Sequence, residues 1–127
     1  MPRKIKAQKG RRKFVHWAPR EKDLRGVFCD CPKKIPREAI GQFQARINCF
    51  LKSGRFPHDP EKYKPVEDGL YELKAWKYRI IGYYEDDWST FVAVLCVFKN
   101  QNDLDPSDVK KAHQKARRAK EDLEYIE

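Results

Sequence analysis

Apolar and polar positions recur with two different periods along this chain, and the change of period marks its elements. Residues 69–100, GLYELKAWKYRIIGYYEDDWSTFVAVLCVFKN, are dense in Tyr, Ile, Val, Phe and Trp, which suit a pleated, half-buried surface. Two polar breaks divide this stretch into runs at 70–75, 78–85 and 91–98. Trp76-Lys77 is short enough for a tight hairpin turn, and Asp86-Asp87-Trp88-Ser89 makes a looser one. The pattern predicts a three-stranded antiparallel meander. Its second and third runs are apolar on both faces at several positions. One face should therefore lie under helices, with the other partly covered or forming a cleft.

Helical spacing appears on either side of the meander. Residues 14–18 read as a short strand stopped by Pro19, placed to join the meander as an edge or fourth strand. Residues 20–31 follow as a short helix with Leu24, Val27, Phe28 and Cys31 on one face, ended by Pro32. Pro36 suits the first turn of a second helix, in which Ile40, Phe43, Ile47, Phe50 and Leu51 form one apolar stripe and Gly54 is the stop. Residues 55–68 read as loop, held out of regular structure by Pro57, Pro60 and Pro65. After the meander, Asp105 and Pro106 open a last helix. Val109, Ala112, Ala116, Ala119 and Leu123 line its narrow apolar face, while Lys110, Lys111, Lys115, Arg117, Arg118 and Lys120 crowd much of the rest. The expected fold is α+β: a small, mostly antiparallel sheet of one N-terminal strand and a three-stranded meander. Two helices precede the meander, one follows it, and all lie on one face.

Composition sharpens this picture in two places. With 127 residues, 40% of them hydrophobic, the chain has enough material for one folded domain and too little for two. The net charge of +9 is uneven, since residues 1–13 carry seven Lys or Arg and no acid. The expected organisation is a flexible basic arm at 1–13 and a single domain at 14–127. Such an excess favours polyanions, nucleic acid first. No apolar run approaches the ~20 residues of a membrane span, and the N-terminus lacks the apolar core of a secretory signal. A soluble, cytoplasmic protein with reduced thiols at Cys29, Cys31, Cys49 and Cys96 is expected.

Candidate chemistry narrows to the charged residues of the meander. Cys29-x-Cys31 has one intervening residue and no second pair, so no metal site and no cofactor is expected. His16, His58 and His113 are scattered, and neither a Gly-x-Ser-x-Gly elbow nor a Gly-rich phosphate loop is present. Alternation puts Glu72 and Lys74 on one face of the first run and Arg79 on a face of the second, with Lys99 ending the third. A strand Arg flanked by Tyr78 and Ile80 loses solvation unless an acid or a phosphate pairs with it. An internal salt bridge of Glu72 with Arg79 or Lys74 is one reading. The other is a cationic face that binds and cleaves RNA. Arg79, Lys99 and Lys74 would then neutralise the phosphate, and Glu72 or a Tyr would handle protons. Lys77, the arm residues Arg11, Arg12 and Lys13, and Lys115 of the last helix are the candidate RNA contacts.

The motifs Gly69-Leu70-Tyr71-Glu72-Leu73-Lys74, Tyr78-Arg79-Ile80, Phe98-Lys99 and Asp105-Pro106, followed by a helix containing Ala112, form a recognisable set. Together they resemble the phage-derived HigB-like branch of the RelE/ParE toxin superfamily, most closely over residues 66–118. Arg79 matches the family's strand Arg and Lys99 the first Lys of its Phe-Lys-Lys end. Lys74 stands where Arg is usual, and Asn100 replaces the second Lys. The resemblance implies a RelE-like fold and the toxin of a toxin–antitoxin pair. Such a toxin arrests growth by cutting mRNA on the ribosome and is blocked by a cognate antitoxin protein. Two alternatives remain open at this point: a toxin of the same fold that targets DNA gyrase, and a non-catalytic module that uses its basic arm on nucleic acid or a partner.

Overall fold

The computed structural model describes residues 5–17, 34–85, 88–99 and 104–126. The expected helix at 20–31, with Cys29 and Cys31, lies outside them. In chain order the elements are β1 (Ile5–Lys9), β2 (Lys13–Trp17), α1 (Arg37–Ser53), β3 (Tyr63–Pro65), β4 (Tyr71–Ala75), β5 (Tyr78–Glu85), β6 (Thr90–Phe98) and α2 (Pro106–Ile126). The fold is α+β. The strands form one sheet in the order β1-β2-β6-β5-β4-β3, antiparallel at every pairing except β2 with β6, which is parallel. The N-terminal strand thus joins the meander at β6, as a neighbour rather than an edge.

Two strands lie where irregular chain was expected. The first five residues described, Ile5–Lys9, pair with β2 and form the sheet edge, so residues 5–17 form a hairpin. Its turn is fixed to α1: the N–H groups of Arg11 and Arg12 donate to the Leu51 carbonyl at 2.7 and 3.3 Å, supplying a partner to the open C-terminal end of the helix. Gly10 is required there, because a Cβ would stand 2.9 Å from the Leu51 oxygen. Within the expected loop, β3 pairs Lys64 with Glu72 and Pro65 with Tyr71. Pro65 is tolerated because β3 is an edge.

The helices lie on opposite faces, not on one. Along α1, Ala39, Phe43, Ile47, Phe50 and Leu51 are buried, with Pro36 as N-cap residue and Gly54 ending the helix in the left-handed region at φ 88°. Ile40, expected in the stripe, is exposed. The stripe meets Phe14, Leu73, Ala75, Tyr78, Ile80, Phe91 and Ala93 from one face of the sheet. From α2, Val109, Ala112, Ala116 and Ala119 meet Val15, Trp17, Ile81, Tyr83, Val92, Val94 and Leu95 from the other. This second core explains why the meander is apolar on both faces. One irregularity adjusts the pattern. Ile81 pairs with Leu95 and Gly82 with Ala93, which leaves Val94 as an extra residue in β6 and keeps Val94 and Leu95 on the same side. Gly82 fits at that bulge because a Cβ would lie 2.3 Å from the Val92 oxygen.

Candidate functional site

Period-two alternation in β4 sends Leu73 and Ala75 into the α1 core, and so sends Glu72 and Lys74 to the α2 side. Their cross-strand partners are Lys64 on β3, opposite Glu72, and Arg79 on β5, opposite Lys74. Two cations directly across a strand pair repel. The buried Glu72 carboxylate lies beside them and attracts both. Glu72 is 1% exposed, neither of its oxygens accepts a hydrogen bond, and Lys64 Nζ stands 3.6 Å from Oε1. Burial pushes the Glu72 carboxyl up, and the attraction of Lys64, Lys74 and Arg79 offsets that only in part. Burial pulls the Lys74 ammonium down, and Lys64 and Arg79 pull it further against the pull of Glu72. The acid and the lysine are thus moved toward one another in pKa, a condition under which a proton moves readily between protein and ligand.

Burial assigns the roles within this cluster. Glu72 is closed off from solvent, so it does not reach a ribose hydroxyl as a base. It holds the lysines and sets their electrostatics. Lys74 is half-exposed and is the group able to meet a ligand. Lys64, with its side chain 31% exposed, is a second cation at the surface of the cluster. Lys64 is not singled out by the sequence, because it sits in the Pro-rich stretch read as loop. The Tyr-Lys-Pro alternation of β3 is its one local signal.

Two expected phosphate contacts are otherwise engaged. Arg79 is 5% exposed, and its Nη1 donates to the carbonyls of Trp76 and Tyr78 at 2.7 and 3.0 Å. It ties down the Trp76-Lys77 turn, where Trp76 takes a positive φ of 55° at a position usually given to Gly in such turns. It acts on the cluster through its charge rather than as an open fork. Lys99 pairs with Asp105, 2.5 Å away, and with Asp108, both at the start of α2. Burial opposes its charge, but the two carboxylates outweigh burial and hold its pKa above the ordinary lysine value. Lys99 fastens α2 to the end of β6.

The remaining candidates are dispersed. Lys77 is half-buried at the turn, with Nζ 5.1 Å from the Trp76 ring centroid. Arg11 is exposed, and the Arg12 guanidinium lies 3.2 Å from where a Cβ on Gly54 would be, at the C-terminus of α1, where a cation complements the helix dipole. Lys13 donates its N–H to the Ser89 carbonyl. The arm residues therefore belong to the α1 end of the molecule and not to the Glu72 cluster. Lys115 is partly buried on α2.

A cavity of about 930 Å³ lies between α2 and the β3–β4 turn, with Leu70, Tyr83, Lys110, His113 and Arg117 among its lining. Sequence reasoning missed it, because it depends on which face α2 covers. Among the described residues, no group of three or more His, Cys, Asp or Glu could hold a metal ion, and no helix is long and apolar enough to cross a membrane. Cys49 is a free thiol, whereas Cys96 is disulfide-bonded, against the expectation of four reduced cysteines. No protein-family model matches the sequence, and no curated protein matches it significantly.

Proposed function

We propose that this chain is a metal-independent endoribonuclease with a RelE-like fold, the toxin of a toxin–antitoxin pair, cutting mRNA on the ribosome in the cytoplasm and held in check by its antitoxin. The observation that carries the reading is the Lys64–Glu72–Lys74–Arg79 cluster, three cations around one buried carboxylate on the sheet face that α2 only partly covers. The parallel placement of the N-terminal strand against the last meander strand and the motif set of residues 66–118 support it.

Lys64 binds a non-bridging phosphate oxygen. Lys74, its ammonium destabilised by burial and by two neighbouring cations, gives up its proton more readily than an ordinary lysine and accepts one from the ribose 2′-hydroxyl. The 2′-oxygen attacks phosphorus, the bond to the 5′-oxygen breaks, and the new ammonium returns its proton to that leaving oxygen. The products are a 2′,3′-cyclic phosphate and a 5′-hydroxyl. Arg79 and Lys64 stabilise the charge that gathers on the phosphorane. Glu72 is a positioning residue. Binding by the basic arm alone is less favoured, since Arg11 and Arg12 are built into the cap of α1.

The test is induction in bacteria with mapping of transcript ends. The wild type should arrest growth and leave 5′-hydroxyl ends within coding regions. Purified Lys74→Met should cut mRNA on ribosomes ~10²-fold or more slowly, the usual loss for a proton-transfer group, with its melting temperature unchanged. Intact transcripts during arrest would sink the reading, and DNA breaks in their place would point to gyrase.

A further inference from the structure

The cavity between α2 and the β3–β4 turn is built from two walls of opposite chemistry. On α2, Lys110, His113, Arg117 and Lys120 line it, and their spacing of three, four and three residues puts them on one helix face. Glu67 and Asp68 line the facing wall. Asp68 and Gly69 both have positive φ, 45° and 83°, and the Leu70 N–H closes the turn on the Glu67 carbonyl at 2.9 Å. A non-glycine residue held in that region carries backbone strain, and here the strain sets a carboxylate at the cavity rim. The floor is apolar, with Leu70, Val109 and Ala116, and it includes Tyr83. Tyr83 is 4% exposed, its buried hydroxyl makes no well-formed hydrogen bond although the Glu85 carboxylate is near, and Lys120 Nζ lies 5.0 Å from its ring centroid. A buried hydroxyl without a well-formed hydrogen bond is costly, and a ligand that accepts from it removes the cost.

A simple polyanion does not suit this cavity, because Glu67 and Asp68 would repel it. The fitting ligand is anionic at one end, rich in hydroxyl donors at the other, and carries an acceptor for the Tyr83 hydroxyl. We infer that the cavity is a ribonucleotide-binding site. Phosphate lies on Lys110, Arg117 and Lys120, the ribose hydroxyls donate to Asp68, and an acceptor atom of the base takes the Tyr83 hydroxyl proton in a hydrogen bond. Its volume of about 930 Å³ is within the range of small-molecule sites. The site is separate from the Lys74 cluster: Leu70 at its floor lies four residues from Lys74, about 13 Å along an extended chain at ~3.3 Å per residue. It does not depend on the cleavage reaction proposed above. The nucleotide comes either free or as one residue of an RNA strand.

Calorimetry on the full chain separates these sources and tests the site. The probes are AMP, dAMP, inorganic phosphate and a tri-ribonucleotide. Binding of AMP identifies a free nucleotide as sufficient, and binding of the trinucleotide alone identifies a strand residue. Either supports the site. The ligand that binds should bind at least tenfold more weakly to Lys110→Glu/Arg117→Glu, several-fold more weakly to Tyr83→Phe, and equally well to Lys74→Met. The 2′-deoxy form of that ligand should bind several-fold more weakly than the ribo form. Circular dichroism melts confirm that each variant is folded. The inference is overturned if neither nucleotide probe binds, if phosphate or the deoxy form binds as tightly as the ribo ligand, if the double variant binds unchanged, or if Lys74→Met abolishes binding.

Discussion

The two faces of the sheet are covered by helices of similar kind but with different contents, and the difference divides stability from chemistry. Against α1 the packing is large and aromatic. Phe50 and Phe56 stack with centroids 4.5 Å apart, and Phe14 and Phe91 stack at 5.4 Å. At the edge of that core the hydroxyls of Tyr63 and Tyr84 share a 2.6 Å hydrogen bond. Burial pushes the Tyr63 phenol up to about 12, so it stays neutral at physiological pH. Against α2 the helix offers Ala112, Ala116 and Ala119, and its ends are held by polar contacts: Lys99 with Asp105 and Asp108, and the Trp17 indole N–H with Asp122 at 2.7 Å. Small residues bring the helix close but cover little, which leaves room on this side for the charged row and the cavity. Beside the face closed by aromatic rings the clefts are about 350 and 470 Å³. The face closed by alanines and clasps has one of about 930 Å³.

The sharpest way to break this comparison is to truncate equivalent apolar anchors. Phe43 is fully buried on α1, and Phe43→Ala should cost about 3–5 kcal/mol in urea unfolding, the range for an emptied aromatic site. Val109 on α2 is 9% exposed. Val109→Ala loses about 1.5 kcal/mol of burial but regains part of it in helix propensity, for a net cost near ~1 kcal/mol. Equal losses at the two sites would mean that the faces share the load.

Next in size is the clasp at the start of α2. Lys99→Met leaves Asp105 and Asp108 without their cation and should cost about 1–2 kcal/mol, between the values for exposed ion pairs and for hydrogen bonds to buried charges. Since the folded protein holds the Lys99 pKa above its ordinary value, the clasp contributes fully below that value and is lost as pH rises through the folded one. The difference between wild type and variant should therefore be flat from neutral pH upward and shrink only in strong alkali. A matching loss of RNA cleavage larger than the loss of folded protein would return Lys99 to the site.

The parts of this comparison that were legible in the sequence are those fixed by local period. The meander, its two-residue Trp76-Lys77 turn, the strand over Phe14–Trp17, most of the α1 stripe and the Asp105-Pro106 helix start all follow from spacing over a few residues. What sequence missed depends on distant partners. β1 and β3 are short edge strands, visible only through β2 and β4. The placement of α2 on the far face was unreadable because its alanine stripe suits either side of a doubly apolar sheet. For the site, alternation found Glu72, Lys74, Arg79 and Lys99. It did not show that carbonyls of a strained turn occupy Arg79, or that two aspartates six and nine residues on occupy Lys99. Lys64 entered only through the β3–β4 register.

The smallest expected effect probes the charged row most directly. Burial opposes the Glu72 charge more than Lys64, Lys74 and Arg79 favour it, so the folded state raises its pKa above the ordinary carboxyl value. In the window between the ordinary value and the folded one, the folded protein binds more protons than the unfolded chain. The sign of linkage then makes stability fall as pH rises through that window. Glu72→Gln removes the titration and should be the more stable protein at neutral pH by about 1 kcal/mol, near the low end of what replacing a buried ionic group yields. The advantage should vanish toward the acid side of the window, which urea unfolding at several pH values would show. The same variant takes from Lys74 the attraction of the Glu72 carboxylate, lowering its proton affinity further, so the alkaline rise of any RNA cleavage should move to lower pH. A stable variant with an unmoved pH profile would separate Glu72 from Lys74 and leave it a core residue of the α2 face.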